Sequence, residues 1–314
     1  MNNNIPNRQA MCEALLALAE NDQDIVVLCS DSRGSASLNL FAWTFPEQFV
    51  EVGIAEQNLV GIAAGLARCG KKPFVASPAC FLTMRAIEQI KVDVAYSGTN
   101  VKLIGISAGV SYGALGMSHH SLQDLAVLRA IPGIDVFVPA DRFETKALIN
   151  AVAYNKRPGY IRLGRNPVPD IYTEEPAFTP GKAICLRDGR DLTIVATGET
   201  VSIAMKAACL LETDGVASRV LNIHTIKPLD TDAITAAARE TGRIISLEEH
   251  SVNGGLGGAV AEVISQHYPV PLRIIGLPDE ALITGNSAQV FAHYGLTPEN
   301  IRSIVIQSAK AGRI

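Results

Sequence analysis

Charge is scarce in this sequence and favours neither sign. Asp, Glu, Lys and Arg make up 18% of the 314 residues, and 27 Lys+Arg against 31 Asp+Glu leave a formal charge of -4. That balance excludes a chain that binds nucleic acid by neutralising a run of phosphates. The six cysteines (Cys12, Cys29, Cys69, Cys80, Cys185 and Cys209) form no C-x-x-C pair. Several lie in apolar runs, where a thiol behaves as a small hydrophobe, so buried, reduced cysteines are expected. No apolar run approaches the ~20 residues of a membrane span. Met1-Asn2-Asn3-Asn4 lacks the charged and apolar regions of a signal peptide, so a cytoplasmic location is expected. Internal repeats and low-complexity segments are absent.

Hydrophobic residues, by contrast, make up 48% of the chain, well clear of disordered compositions. At ~150 residues per domain the length predicts about two domains. Short β-rich runs alternate with longer helical patterns throughout, the pattern of βαβ units. The expected fold class is therefore α/β, with two doubly wound, mostly parallel-sheet domains. The first series has strands at 25–30, 73–77, 101–107, 134–138 and 160–163, with helices near 8–19, 56–68, 83–94, 122–129 and 142–154. Gly61-Ile62-Ala63-Ala64-Gly65 is expected to let its helix lie close on a sheet. Four prolines between Gly164 and Pro180 mark a linker. The expected spans are 1–166 for the first domain, 167–190 for the linker and 191–314 for the second domain. Strands of the second are expected at 192–197, 218–223, 243–247 and 272–275.

Open parallel sheets bind ligands beyond the carboxyl ends of their strands, which directs attention to five loops. Glu56 opens an otherwise apolar helix in Gly53-Ile54-Ala55-Glu56-Gln57. Desolvation there favours the protonated form, as general acid–base work requires; the alternative is a carboxylate stabilised by the helix macrodipole. His119 and His120 lie in a glycine-bounded loop, and Phe81 follows a strand exit. Arg162 and Arg165 could grip an anion through their guanidinium forks.

These loops together resemble a known family. Phe49-Val50-Glu51-Val52-Gly53-Ile54-Ala55-Glu56-Gln57-Asn58, then Ala63-Ala64-Gly65-Leu66-Ala67 and Gly70-Lys71-Lys72-Pro73-Phe74, are similar to the pyrimidine-binding domain of transketolases and deoxyxylulose-phosphate synthases. The likeness continues through Ser118-His119, Val138-Pro139-Ala140-Asp141 and Tyr160–Arg165 into a segment that resembles the transketolase C-terminal domain. The family's Gly-Asp-Gly…Asn element, which binds Mg²⁺ (or Ca²⁺) and the cofactor diphosphate, is not found. The resemblance therefore implies the C-terminal subunit of a split transketolase that uses thiamine diphosphate. It also implies a partner subunit holding metal and diphosphate, self-association as a dimer, and a heterotetramer overall.

By resemblance Glu56 meets the aminopyrimidine N1′, Phe81 stacks on that ring, and Asp31 lies near the cofactor. On the substrate side the resemblance gives His119 the sugar hydroxyls, and Arg165 with Ser35 the phosphate. The reaction implied is transfer of a two-carbon glycolaldehyde unit from a ketose phosphate to an aldehyde. Two departures point to a non-standard sugar phosphate. The family's Glu-Asp-Gly is Ala114-Leu115-Gly116, and Ser107 replaces a phosphate-binding histidine.

Three rival readings stand beside this one. Gly105-Ile106-Ser107-Ala108-Gly109 fits a G-x-S-x-G nucleophile elbow, with Asp124 or Asp141 and His224 or His250 as partners in a serine hydrolase. The domain order also suits the β subunit of a thiamine-dependent 2-oxo acid dehydrogenase or a deoxyxylulose-phosphate-synthase-like enzyme, and a third reading is a non-catalytic regulatory subunit. Glu248-Glu249-His250 is a weak metal or interface triplet, and no metal ligand is assigned. Gly254-Gly255-Leu256-Gly257-Gly258 is expected to serve close packing.

Overall fold

The computed structural model describes residues 5–310. Met1–Asn4 and residues 311–314, the outer ends of the two expected domain spans, lie outside the described residues. The first half supplies β1 (Ile25–Cys29), β2 (Phe49–Glu51), β3 (Lys72–Pro78), β4 (Lys102–Ile106), β5 (Asp135–Phe137) and β6 (Gly159–Arg162). The second supplies β7 (Ile184–Arg187), β8 (Leu192–Ala196), β9 (Ser218–Asn222), β10 (Thr225–Lys227), β11 (Ile244–Ser251) and β12 (Leu272–Leu277). Every residue of β1, β4, β8 and β11 is buried. Helices cover both faces of such strands, so β1 and β8 appear in sequence as largely apolar runs rather than alternating ones, whereas β11 buries Glu248, Glu249 and His250.

The strands form two sheets, in the orders β10-β5-β6-β4-β3-β1-β2 and β12-β11-β8-β9-β7. Pairing is parallel except between β10 and β5 and between β7 and β9. The expected α/β architecture with mostly parallel sheets is what the chain adopts. One apolar cluster runs across both sheets, joining Leu59, Val75 and Leu103 of the first half to Val195, Leu221 and Val260 of the second.

Several local readings need correction. The span 167–190, expected as linker, contains β7, whose edge position and short length hide it from periodicity arguments. The single helix expected near 83–94 starts earlier, at Ala79 behind Pro78, whose fixed φ presets the turn. It breaks at Ala86, resumes at Ile87–Gln89 and continues as a wide-turned stretch over Ile90–Tyr96. In the helix Glu56–Arg68 the residues turned to the core are Leu59, Val60, Ala63 and Ala64. Gly61 and Gly65 point outward, where an added Cβ would meet nothing within 4 Å, so the glycines are not what brings that helix onto the sheet. Cysteine burial is also only half as expected. Cys12, Cys29 and Cys80 are buried, Cys69, Cys185 and Cys209 are exposed, and all six are free.

Candidate active site

The carboxyl ends of β1, β3 and β4 open onto a common hollow. After β1 the chain turns through Asp31, which takes a left-handed conformation (φ 53°) and donates its backbone N–H to the Glu51 carboxylate. After β2, Gly53 (φ 73°) turns the chain into the helix that starts at Glu56. After β3 the helix Ala79–Arg85 places Phe81 and Arg85 four residues apart, on one face. After β4 comes a long loop, closed at its neck by mutual hydrogen bonds between Gly109 and Ser121 (3.1 and 2.9 Å). That loop carries Tyr112 and His119.

These residues meet. Glu56 is buried, and its Oε1 accepts from Nη1 of Arg85 at 2.9 Å. The same guanidinium lies over Phe81, with Cζ 3.9 Å from the ring centroid. Phe81 in turn meets His119 edge-on at 5.1 Å, and His119 meets Tyr112 at 5.6 Å. A cavity of about 320 Å³ is bounded by Ser35, Glu56, Phe81, Tyr112 and His119. Its rim is apolar and open, with Ile54 73% and Leu115 54% exposed.

A cationic end adjoins the hollow. Arg165 lies 5.0 Å from the Tyr112 ring, and its Nη1 is buried without a hydrogen-bond partner among the described residues. Arg8 reaches across from the first helix, donating to the Arg165 carbonyl (3.0 Å) and the Ser35 carbonyl (2.6 Å). Burial, and then the neighbouring Arg165 charge, hold the Arg8 pKa below its ordinary value. Two guanidiniums this close, one with an idle donor, are arranged for an anion. Arg8 was missed in the sequence because nothing local ties residue 8 to residues 35 and 165.

Arg162 takes no part in that clamp. It is buried, donating through Nε to Asp124 (2.9 Å) and through Nη2 to the carbonyls of Ser121 (3.1 Å) and Glu249 (2.8 Å). Around it lies a seam of ionisable groups between the two halves. Tyr160 Oη donates to Asp124 (2.7 Å), and the Val110 N–H donates to Oε1 of Glu249 (2.8 Å). Burial, and then the proximity of Glu249, raise the Glu199 pKa, and burial also raises that of Glu249 against the pull of Arg162. Glu248 accepts the Leu256 and Gly257 N–H groups (2.6 and 2.8 Å) at the start of the helix Leu256–His267. His250 is buried with its pKa lowered to about 4 by desolvation. The Glu248-Glu249-His250 triplet is thus internal, and no His/Cys/Asp/Glu cluster suited to a metal occurs among the described residues. Gly255 belongs to the same packing, since a Cβ there would lie 1.9 Å from the Glu248 carboxylate.

The serine-hydrolase reading fails here. Ser107 does take a strained left-handed conformation (φ 53°), yet its Oγ is buried with no hydrogen-bond partner among the described residues. A loop rather than a helix follows it. His224 is bonded to Thr225, and Asp124 is committed to Arg162 and Tyr160.

With this geometry in place, comparison with known proteins is informative. Residues 3–170 match the family "Transketolase, pyrimidine binding domain", and residues 181–301 match "Transketolase, C-terminal domain". The chain is 52% identical over 310 residues to one of the subunits of the apulose-4-phosphate transketolase of Phocaeicola vulgatus, covering 98% of this chain and 99% of that one. It is 39% identical over 294 residues to a 6-deoxy-6-sulfo-D-fructose transketolase subunit of a Clostridium species, covering 94% and 91%. Among solved structures, one described as a split gene transketolase, inactive beta4 tetramer, superposes with a TM-score of 0.89 at 40% identity, covering 97% of this chain and 98% of that one. Among the described residues no helix is long and apolar enough to cross a membrane.

Proposed function

The chain belongs to the transketolase family, and from that premise we propose that it is one subunit of a two-chain transketolase acting on a non-standard sugar phosphate. Family membership carries dependence on thiamine diphosphate, which when bound supplies an acidic ring carbon able to take up and release a two-carbon glycolaldehyde unit. The remaining chemistry falls to residues of this chain and of a partner.

One observation carries the reading. Arg85 lays a flat, nitrogen-bearing cation on Phe81 while donating an N–H to Glu56. A planar aminopyrimidine with a protonatable ring nitrogen makes the same two demands, so the residues present fit that group. Glu56 then holds and returns a proton at the ring nitrogen facing it, a task suited to a buried carboxyl at a helix start. Phe81 bears the ring face, where stacking adds about 1 kcal/mol beyond buried area. Asp31 flanks the same hollow. His119, set against Phe81 and Tyr112, contacts sugar hydroxyls near the reacting carbon. Arg165 and Ser35, joined by Arg8, hold the phosphate. Leu115 offers no charge at the wall of the hollow, which favours donors unlike the usual pentose phosphates.

The exposed rim at Ile54 and Leu115 is the expected seat of a partner subunit holding the diphosphate and its Mg²⁺ or Ca²⁺. Self-association into a dimer, and two copies of each subunit in all, complete the proposed assembly, which is expected in the cytoplasm. The proposed division of the chain keeps the pyrimidine-binding part at 1–166 and the C-terminal part at 191–314, with β7 from the stretch between them added to the second sheet and β10 lent to the first.

The test is reconstitution. The chain, a diphosphate-binding partner, thiamine diphosphate and Mg²⁺ are mixed with apulose 4-phosphate and an aldehyde acceptor, and glycolaldehyde transfer is measured. Transfer should require both chains, and Glu56→Gln should lower kcat by about 10²–10⁴-fold, the range of general acid–base catalysis. Full activity from Glu56→Gln, or from this chain alone, would overturn the reading.

A further inference from the structure

The loop that carries Tyr112 and His119 belongs in sequence to the first half, yet its main anchors come from the second. At the neck, Glu249 of β11 accepts the Val110 N–H at 2.8 Å, and the Ser251 N–H donates to the Leu122 carbonyl at 3.1 Å. The fit is tight. Gly109 has φ 61°, and a Cβ there would lie 2.2 Å from the Glu249 carboxylate. At the far side, the Gly285 N–H donates to the Gly113 carbonyl at 3.2 Å. Between these points Val110 and Leu122 are buried among Leu277, Leu282, Val290 and Leu296.

From this arrangement we infer that Glu249 is a positioning residue: by gripping the neck of the 109–121 loop, the C-terminal half sets where His119 meets the donor sugar. The assignment of His119 to the donor rests on the reading above, whereas the grip on the loop does not. Glu249 touches neither the hollow nor its lining residues Phe81 and Glu56, so its effect must pass through the loop. Its other contacts suit a fixed strut. The Glu249 carbonyl is held by Arg162, and its second carboxylate oxygen lies 3.9 Å from the same guanidinium. Arg162 also holds Ser121, the other side of the loop neck, at 3.1 Å. One buried arginine therefore ties the strut to both ends of the loop it supports.

The experiment has two readouts. Hydrogen exchange of the 109–121 segment is followed in the full chain, and KM values for donor and for thiamine diphosphate are measured in the reconstituted complex. Glu249→Ala should speed exchange of the Val110 amide about tenfold or more and raise donor KM about tenfold, with cofactor KM changed by less than about twofold. Glu249→Gln keeps an acceptor for Val110 and should stay within about threefold of wild type on all three. Gly109→Ala dislodges the same contact from the loop side and should reproduce the Glu249→Ala pattern, which decides the matter if Glu249→Ala does not fold. Unchanged exchange in either variant, or equal losses of donor and cofactor affinity, would overturn the inference. A wild-type complex that cleaves no ketose phosphate would instead sink the functional reading, while the exchange data would still judge the loop.

Discussion

Glu56 and Glu249 are both buried carboxylates in one chain, and their surroundings could hardly differ more. Glu56 leans on one arginine whose side chain is 47% exposed, at the edge of an open, apolar-rimmed hollow. Glu249 lies in a sealed seam with Arg162, Asp124, Glu199 and a backbone N–H, all supplied by the chain itself. The seam is enclosed, with one cation, Arg162, set among carboxyl groups drawn from both halves. The hollow is open, with the Arg85 guanidinium on Phe81 and apolar side chains facing water. Enclosure thus separates the seam from the hollow proposed to react.

The strongest way to break this contrast is at the seam's cation. Arg162→Met leaves Asp124 and Glu249 as buried charges without their cation, and removal of one partner of a buried pair typically costs about 3–5 kcal/mol. Thermal unfolding of the chain should show a large fall in Tm, and an unchanged Tm would mean the seam carries little. Phe81→Ala comes next. It should raise the KM for thiamine diphosphate about tenfold in the complex, since stacking and buried area are lost together, with little effect on unfolding of the isolated chain. An equal loss in both assays would make Phe81 a core residue rather than a site residue.

The seam's acids predict a pH dependence of opposite sign to the common one. Glu199 and Glu249 keep their protons to higher pH in the folded chain than in the unfolded chain. Between the ordinary carboxylate range and neutrality the folded state therefore binds more protons, and stability contributed by these groups falls as pH rises. His250 and His224, both lowered to about 4 by burial, act the other way. Their contribution is present above the ordinary histidine range and is lost as pH falls toward 4. Comparing Glu199→Gln with wild type isolates the acid part. Its stability should fall less steeply with rising pH, by up to about 1 kcal/mol per pH unit, and parallel curves would mean that Glu199 does not hold its proton in the folded chain. Smallest of all should be Arg85→Ala in the isolated chain, within about 1 kcal/mol, because the arginine it removes is half exposed. A cost rivalling Arg162→Met would erase the distinction between the two regions.

Much of this was legible in sequence where a signal was local. Fully buried strands such as β4 and β8 stand out as apolar runs, and the rule that ligands gather at strand carboxyl ends led to Asp31, Glu56, Phe81 and His119. The Arg85 contact had a local signal too, its i, i+4 spacing from Phe81 on one helix, but an arginine on a short helix reads as solvated until Glu56 is placed beside it. Arg8 and Glu249 had none. Arg8 lies 157 residues from Arg165 and Glu249 lies 139 residues from Val110. Such pairings are set by how the sheets stack, which no periodicity reports. Strands β2, β5 and β10 are three residues long. Only β5 was found, because its flanking residues Ile134 and Val138 extend the apolar run.

The last strand of that trio fixes how the molecule can be taken apart. Thr225–Lys227 comes from beyond the proline-rich stretch, yet it pairs with β5 and closes one border of the first sheet. A fragment ended at Pro180 would keep every residue thought to meet the cofactor and still bare that border, offering a row of unsatisfied amides and carbonyls to any passing strand. Dissection of this protein by truncation would then yield aggregates rather than a working module.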